Sequence, residues 1–384
     1  MMLDRFLSSK PLYSNKIDFD FFPTFYKKYE EYFTLPKAIH IVGTNGKGSS
    51  GRFLAQMLLG SGYRVGHYTS PHILSFNERI WIDGDNIKDE KLEEIHIELL
   101  EILKSDAELL SYFEYTTLLA FLAFKNLDYV VVEAGLGGEF DATNVIKKEL
   151  LLCTKIDMDH KDFLGESIEK IGRTKLNAMD SAVLLGEQEH KEIIGIAKEI
   201  AMKKNSKVYL VEDLIDDTSH DEIVAYIKKN NMADFQIQNL SNSVAAMKIL
   251  KLPISLQHIL LTSLEGRCQK INDNITIDVG HNLLGAKAIK SHFYGKKVNL
   301  IYNVMSDKDY ESILEELRPI IKKVMILKLD TPRALDIKIL GDFLHTRGFD
   351  FEEFCGIKKD EEYLVFGSFY TVEKFLRLHK EGLI

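Results

Sequence analysis

The chain is poor in cysteine: Cys153, Cys268 and Cys355 are its only three, odd in number and far apart. They supply neither a disulfide framework nor a Cys-x-x-Cys metal site, and they fit a reducing compartment. Nowhere does an apolar run approach the roughly twenty residues that span a bilayer, and the opening Met-Met-Leu-Asp-Arg-Phe lacks the apolar stretch of a signal peptide. A cytoplasmic protein without a membrane partner is expected. Positive charge is also short, because 49 basic residues against 58 acidic ones leave a formal charge of -9. No basic field favours nucleic acid. Internal repeats and low-complexity segments are missing too. What remains is an ordinary globular composition, 45% hydrophobic and 28% charged, and 384 residues are too many for one ordinary core.

The most informative stretch is His40-Ile-Val-Gly-Thr-Asn-Gly-Lys-Gly-Ser-Ser50. Apolar Ile39, Ile41 and Val42 close a strand. Gly43, Gly46 and Gly48 let backbone N–H groups converge on an anion, with Thr44 and Asn45 between them. Phe53, Leu54, Met57 and Leu58 then recur at helical spacing, so the positive end of a helix dipole faces the same anion. Lys47 adds a point charge for the outer phosphates, and Ser49 or Ser50 a hydroxyl for a phosphate-bound magnesium ion. The expected ligand is ATP. Only Thr44 and Asn45 separate Gly43 from Gly46-Lys47, where the common phosphate loop has four residues.

Alternation along the chain predicts an α/β protein: a P-loop ATPase domain with a mainly parallel sheet, followed by a smaller Rossmann-like α/β domain. Residues 1–37, rich in aromatics, are expected as one or two helices outside the sheet. Strands are predicted at 63–67, 129–133, 150–156, 182–185 and 207–211, and helices at 91–104, 116–124 and 192–202, with more helix in 241–264. The pattern restarts after Gly266-Arg267 with strands at 275–279, 298–302, 324–327 and 363–366. Division into 1–265 and 266–384 follows.

Tyr129-Val-Val-Val-Glu133 is a continuous apolar run that ends in a carboxylate, as a doubly covered parallel strand does. Glu133, with Gly135, Gly137 and Gly138 after it, is a natural magnesium ligand beside the Ser49 hydroxyl. Asp157-Met-Asp-His160 ends the next strand. Ligands of open parallel sheets sit at such carboxyl ends, so Glu133 and His160 are expected to converge near the phosphate loop. Lys175 follows Ile168 and Ile171 at i+7 and i+4, on the inward side of its helix. An inward lysine needs a partner, a lost charge, or a stem that snorkels its head to water.

Gly-Thr-Asn-Gly-Lys-Gly-Ser resembles the loop of the Mur ligase superfamily, and in this wording that of folylpolyglutamate and dihydrofolate synthases. Tyr112-Phe-Glu-Tyr-Thr-Thr117, Asn242 with Ala245 and Ala246, Glu265-Gly-Arg267, Asp278-Val-Gly-His-Asn282 and Gly367-Ser368 are similar to further segments of that family. The resemblance implies ATP-dependent ligation of L-glutamate to folates, with dihydropteroate as a further substrate, through an acyl phosphate. It implies two magnesium ions, with Ser70 and His160 joining Ser49 and Glu133 as ligands, and a carbamylated Lys175 near the second ion. It places Asn242 on the adenine side and Arg267 on the ATP phosphates, and brings Asp278 and His281 from the second domain. The familiar Glu-Lys-Ala-Gly around that lysine is replaced here by Thr174-Lys-Leu-Asn177, and the linker's Pro-Gly-Arg by Glu265-Gly-Arg267. A monomer acting in folate biosynthesis and one-carbon metabolism is expected. Two other readings are a peptidoglycan-type ligase, for which the 38 residues before Ile39 leave little room for a UDP-recognition domain, and a nucleotide-regulated binding protein. The latter has no need of Glu133, His160 and Lys175 together.

Overall fold

A computed structural model describes residues 2–11, 18–159, 161–259 and 265–384. The chain packs as two units, Met1–Tyr226 with Ile237–Leu260, and Ile227–Gln236 with Leu261–Ile384. Phe235 of the short segment rests on the core of the second unit.

The first unit is built on eight strands: β1 (Lys37–Val42), β2 (Val65–Tyr68), β3 (Ile80–Ile82), β4 (Asp85–Asn86), β5 (Tyr129–Glu133), β6 (Leu150–Cys153), β7 (Ala182–Leu185) and β8 (Lys207–Leu210). Their order is β4-β3-β2-β5-β1-β6-β7-β8, parallel from β2 to β8 and antiparallel at the β3 and β4 edge. Both faces are covered, which is why β1, β5 and β6 read as unbroken apolar runs. One face carries Val130 and Val132 against Phe22, Phe25, Leu99, Leu118 and Phe121. Further along the same face, Leu151, Cys153, Val183 and Leu185 pack against Ile171, Leu176, Ile193 and Ala197, while Ile39, Ile41, Val131, Leu150 and Leu152 are buried on the opposite face. Phe6, Phe22, Phe25 and Tyr26 of the amino-terminal segment are thus core side chains, set on helices Leu3–Ser8 and Phe21–Tyr29, whereas Phe19 and Tyr32 stay exposed.

Several expected boundaries shift. The helix predicted at 116–124 starts at Tyr112, where Ser111 and Glu114 form a capping box. The strand predicted to reach Ile156 stops at Cys153, because the next residues turn their hydrogen bonds to the phosphate loop. The β3–β4 hairpin was not anticipated. It closes through Asp83 and Gly84, both at positive φ, an Asp-Gly signal of the kind that favours tight hairpins.

The second unit has six strands, β9 (Gln269–Asn272), β10 (Ile275–Ile277), β11 (Val298–Tyr302), β12 (Ile321–Ile326), β13 (Phe351–Glu353) and β14 (Tyr363–Phe366). They run β13-β12-β11-β14-β10-β9, parallel except for β9. Short β9 and β13, half exposed, lie outside the predicted strand set.

Candidate active site

β1 lies inside the first sheet with β5 on one side and β6 on the other; the connection after β1 runs past β5 to β2, and the one after β6 runs the other way to β7, so the two diverge at the carboxyl ends of β1 and β6. That crevice is where an open α/β sheet takes its ligand. Ile41 pairs with Glu133 of β5 and Val42 with Cys153 of β6, which puts the loop after β1 level with both neighbouring strand ends.

The loop is fixed by close packing. Gly43 has φ +144°, and a Cβ there would lie 1.9 Å from Thr154 Oγ1. Gly46 has φ +88°, and its Cβ would lie 2.3 Å from Asn239 Oδ1. Only glycine fits either place. Thr44 N–H donates to the Lys155 carbonyl at 2.8 Å, and the Asn45 carbonyl accepts from Thr154 Oγ1 at 2.8 Å. The helix Lys47–Gly60 begins at Gly46 without a capping side chain. Its first-turn N–H groups, with Gly48 and the buried Ser49 among them, therefore suit an anion.

Lys47 folds back so that Nζ donates to the Gly43 carbonyl at 3.2 Å and the Thr44 carbonyl at 3.3 Å. Lys175, only 4% exposed, donates to the same Gly43 carbonyl at 2.9 Å. A head bonded inside the protein rules out the snorkelling alternative. Burial, with the Lys47 charge adding to it, pulls the Lys175 amine down from 10.5 to about 7. The Glu139 N–H donates to Thr174 O at 2.8 Å, tying the glycine loop after Glu133 to the Lys175 helix.

Glu133 is 4% exposed; its Oε2 accepts from the Thr69 hydroxyl and, at 3.4 Å, from the Ser70 N–H. Ser70 thus stands beside Glu133. A strand-end carboxylate with Ser49 and Ser70 hydroxyls offers hard oxygen donors of the kind magnesium takes. Among the described residues no three His, Cys, Asp or Glu side chains group as a metal site. His160, the other expected ligand, lies outside the described residues. Asn242 is buried and donates to Ser50 Oγ at 3.2 Å, so in this structure its amide faces the phosphate-loop helix.

In the second unit Arg267, Asp278 and His281 gather at the carboxyl end of β10. Asp278 accepts from Cys268 N–H at 2.8 Å and Gly280 N–H at 2.7 Å, and thereby pins the turn that carries Arg267. Burial raises its carboxyl to about 6 against the pull of Arg267. The Arg267 guanidinium lies 5.2 Å from the Phe369 ring centroid, and His281 Nδ1 lies 3.1 Å from Val279 O.

Two residues at this site were not singled out from sequence. Thr69 holds the Glu133 carboxylate and directly precedes Ser70. Asn239 sits over Gly46 and lies three residues before Asn242, a helical spacing that could have exposed it.

A loop suited to an anion, a strand-end carboxylate and a buried lysine on the loop's own carbonyl are the parts an ATP-dependent ligase of the P-loop kind needs. No protein-family model matches the chain. A dihydrofolate synthase/folylpolyglutamate synthase of Haemophilus influenzae is 30% identical, over 89% of this chain and 88% of that protein. The crystal structure of Helicobacter pylori folylpolyglutamate synthetase is 38% identical and aligns with a TM-score of 0.80, covering 99% of this chain and 98% of that one. A Yersinia pestis folylpolyglutamate synthase/dihydrofolate synthase complexed with AMPPNP and Mn ion shares the fold at 23% identity, with a TM-score of 0.81 over 98% and 97% of the two chains. The chain belongs to the dihydrofolate synthase/folylpolyglutamate synthase family.

Proposed function

We propose that this enzyme joins L-glutamate to a carboxylate of folates and of dihydropteroate, consuming ATP. A carboxylate oxygen of the acceptor attacks the γ-phosphorus and ADP leaves; the glutamate nitrogen then attacks the acyl carbon and inorganic phosphate leaves. Amide formation by this route needs an aligned, charge-neutralised phosphoryl group more than a protein nucleophile. The observation that carries the reading is the meeting of Lys47 and Lys175 on the Gly43 carbonyl, level with Glu133. A protein that merely senses nucleotide has no use for the second, buried lysine.

Ser49, Glu133, Ser70 and His160 are the proposed holders of two magnesium ions, which would neutralise phosphate charge. Lys175, lowered to about 7, is partly a free amine near neutrality and can add to carbon dioxide, giving a carbamate and releasing a proton; the new carboxylate would serve the second ion. Asn242, Arg267 and Asp278 are assigned to the nucleotide and His281 to catalysis. A flat aromatic acceptor is supported by Phe19 and Phe140, 48% and 52% exposed, whose rings meet at 4.2 Å beside the loop that follows Glu133. The enzyme is taken to act as a cytoplasmic monomer, and no helix among the described residues is long and apolar enough to cross a membrane.

ADP release is the test. It is expected with ATP, glutamate and either dihydropteroate or a folate, and the reading is lost if neither acceptor stimulates it. Stimulation by a folate alone removes only the dihydropteroate activity.

A further inference from the structure

The phosphate loop rests on a neighbour that is itself held from the far side. After Cys153 the chain leaves β6, and residues 154–157 run under the loop. On their inner edge Lys155 O accepts from Thr44 N at 2.8 Å, Thr154 Oγ1 donates to Asn45 O at 2.8 Å, and Thr44 Oγ1 donates to Asp157 O at 2.9 Å while accepting from Asp157 N at 3.0 Å. Four hydrogen bonds thus hang residues 44 and 45 on this segment.

On its outer edge the strand ladder to β7 closes with Gly186 N donating to Cys153 O at 2.8 Å. Beyond that point the Gln188 side chain continues it. Gln188 Oε1 accepts from Ile156 N at 3.0 Å, and Nε2 donates to Thr154 O at 3.1 Å and to Gly186 O at 2.9 Å. One amide therefore presents both an acceptor and a donor to the segment, as a neighbouring strand would. Two residues on, His190 Nε2 lies 3.2 Å from Asp157 Oδ1, and between them Glu189 pairs with Lys155 at 2.6 Å.

We infer that Gln188 and His190 are positioning residues for ATP binding: they fix residues 154–157, and through them the Thr44 and Asn45 backbone that cradles phosphate. Neither is expected to touch the nucleotide. Loosening this rail leaves the cradle to be ordered by the ligand, so affinity for nucleotide falls while the glutamate site is untouched.

Titration calorimetry with magnesium and ADP, together with steady-state KM values, tests this on the full chain. Gln188→Ala is expected to weaken ADP about tenfold, the loss of one to two net hydrogen bonds, and to raise the ATP KM alike while leaving the glutamate KM unchanged. Gln188→Glu should be worse, because a carboxylate would face the Thr154 and Gly186 carbonyls. His190→Ala, at a half-buried position where folding is not at risk, should lose several-fold. Ile200→Ala, a cavity in the core shared with Cys153 and Ile156 that removes no hydrogen bond to the segment, is the control for general destabilisation. The inference rests on residues 43–49 holding ATP phosphates, and wild-type protein that binds no ADP overturns that reading. Wild-type affinity shared by Gln188→Ala and His190→Ala overturns the inference alone, as does an affinity loss no larger than that of Ile200→Ala.

Discussion

Lys47 and Lys175 share one acceptor, the carbonyl oxygen of Gly43, at 3.2 and 2.9 Å. Burial, with the Lys47 charge adding to it, lowers the Lys175 amine to about 7. Lys175 thus gives up its proton well below the usual lysine range, beside the Lys47 proposed to meet the phosphates, and several consequences can be measured.

Lys47→Ala is expected to cut ligation at saturating ATP by at least about a hundredfold, because a cation facing the transferred phosphoryl group acts mainly in the transition state. The fold should persist, since Lys47 caps no core cluster and is half-buried at the site. Turnover near wild type at saturating ATP would dismiss the phosphate role.

Glu133→Gln should reduce turnover by roughly two orders of magnitude and raise the magnesium concentration needed for half-maximal rate, since an amide is a poorer ligand for a hard cation. Thr69→Val leaves the carboxylate and removes only the hydroxyl donor to it. Its loss should be much smaller and should appear chiefly in the magnesium titration. Rates measured across magnesium concentration separate the two, and an unchanged magnesium requirement in Glu133→Gln removes the metal assignment.

The depressed Lys175 amine also makes a stability prediction in carbon dioxide-free buffer. Unfolded, this lysine titrates near 10.5; folded, near 7. Between these values the unfolded chain binds more protons, so stability rises with pH across that window and the burden is fullest below 7. Lys175→Met keeps the volume and removes the titration. It is expected to raise the thermal midpoint at pH 7 and to flatten the rise toward pH 10, an effect on the order of a few kcal/mol. Parallel pH dependences for the two proteins would refute the shift.

Much of this site can be read from residues alone, for identifiable reasons. The loop declares itself through glycines that only close packing demands, and Gly43 and Gly46 meet Thr154 and Asn239 as that logic requires. Lys175 shares its helical phase with buried Ile171, so its inward side chain follows from spacing. The partners are harder. Ile156 looks like the end of β6 because it is apolar and fully buried, yet Lys155 O and Thr154 Oγ1 are claimed by a loop more than a hundred residues earlier. Gln188 bonds backbone atoms, which carry no side-chain signature, and nothing in its own neighbourhood reveals them. The hairpin at Asp83-Gly84 was legible but short, with strands of two and three residues that no periodicity can register.

Carbamylation of Lys175 gives the sharpest test. If carbon dioxide adds to this amine, the carbamate supplies oxygen ligands where the unmodified side chain supplies a nitrogen. Lys175→Ala should then be nearly inactive, and acetate or another short carboxylate should restore part of the rate, because a small acid can enter the vacated volume and offer the same oxygens to a hard cation. Rescue should grow with carboxylate concentration and should not follow added chloride at equal ionic strength. Wild-type activity should also fall on exhaustive removal of bicarbonate and recover when it is returned. A purely structural lysine, holding the Gly43 carbonyl at 2.9 Å, predicts instead a variant that loses stability and gains nothing from acetate. Intact mass cannot separate these, since a carbamate is labile during preparation. Carbon-13 spectra under labelled bicarbonate can: a carbamate resonance present in wild type and missing in Lys175→Ala supports the modification, and its absence from active wild-type enzyme eliminates it.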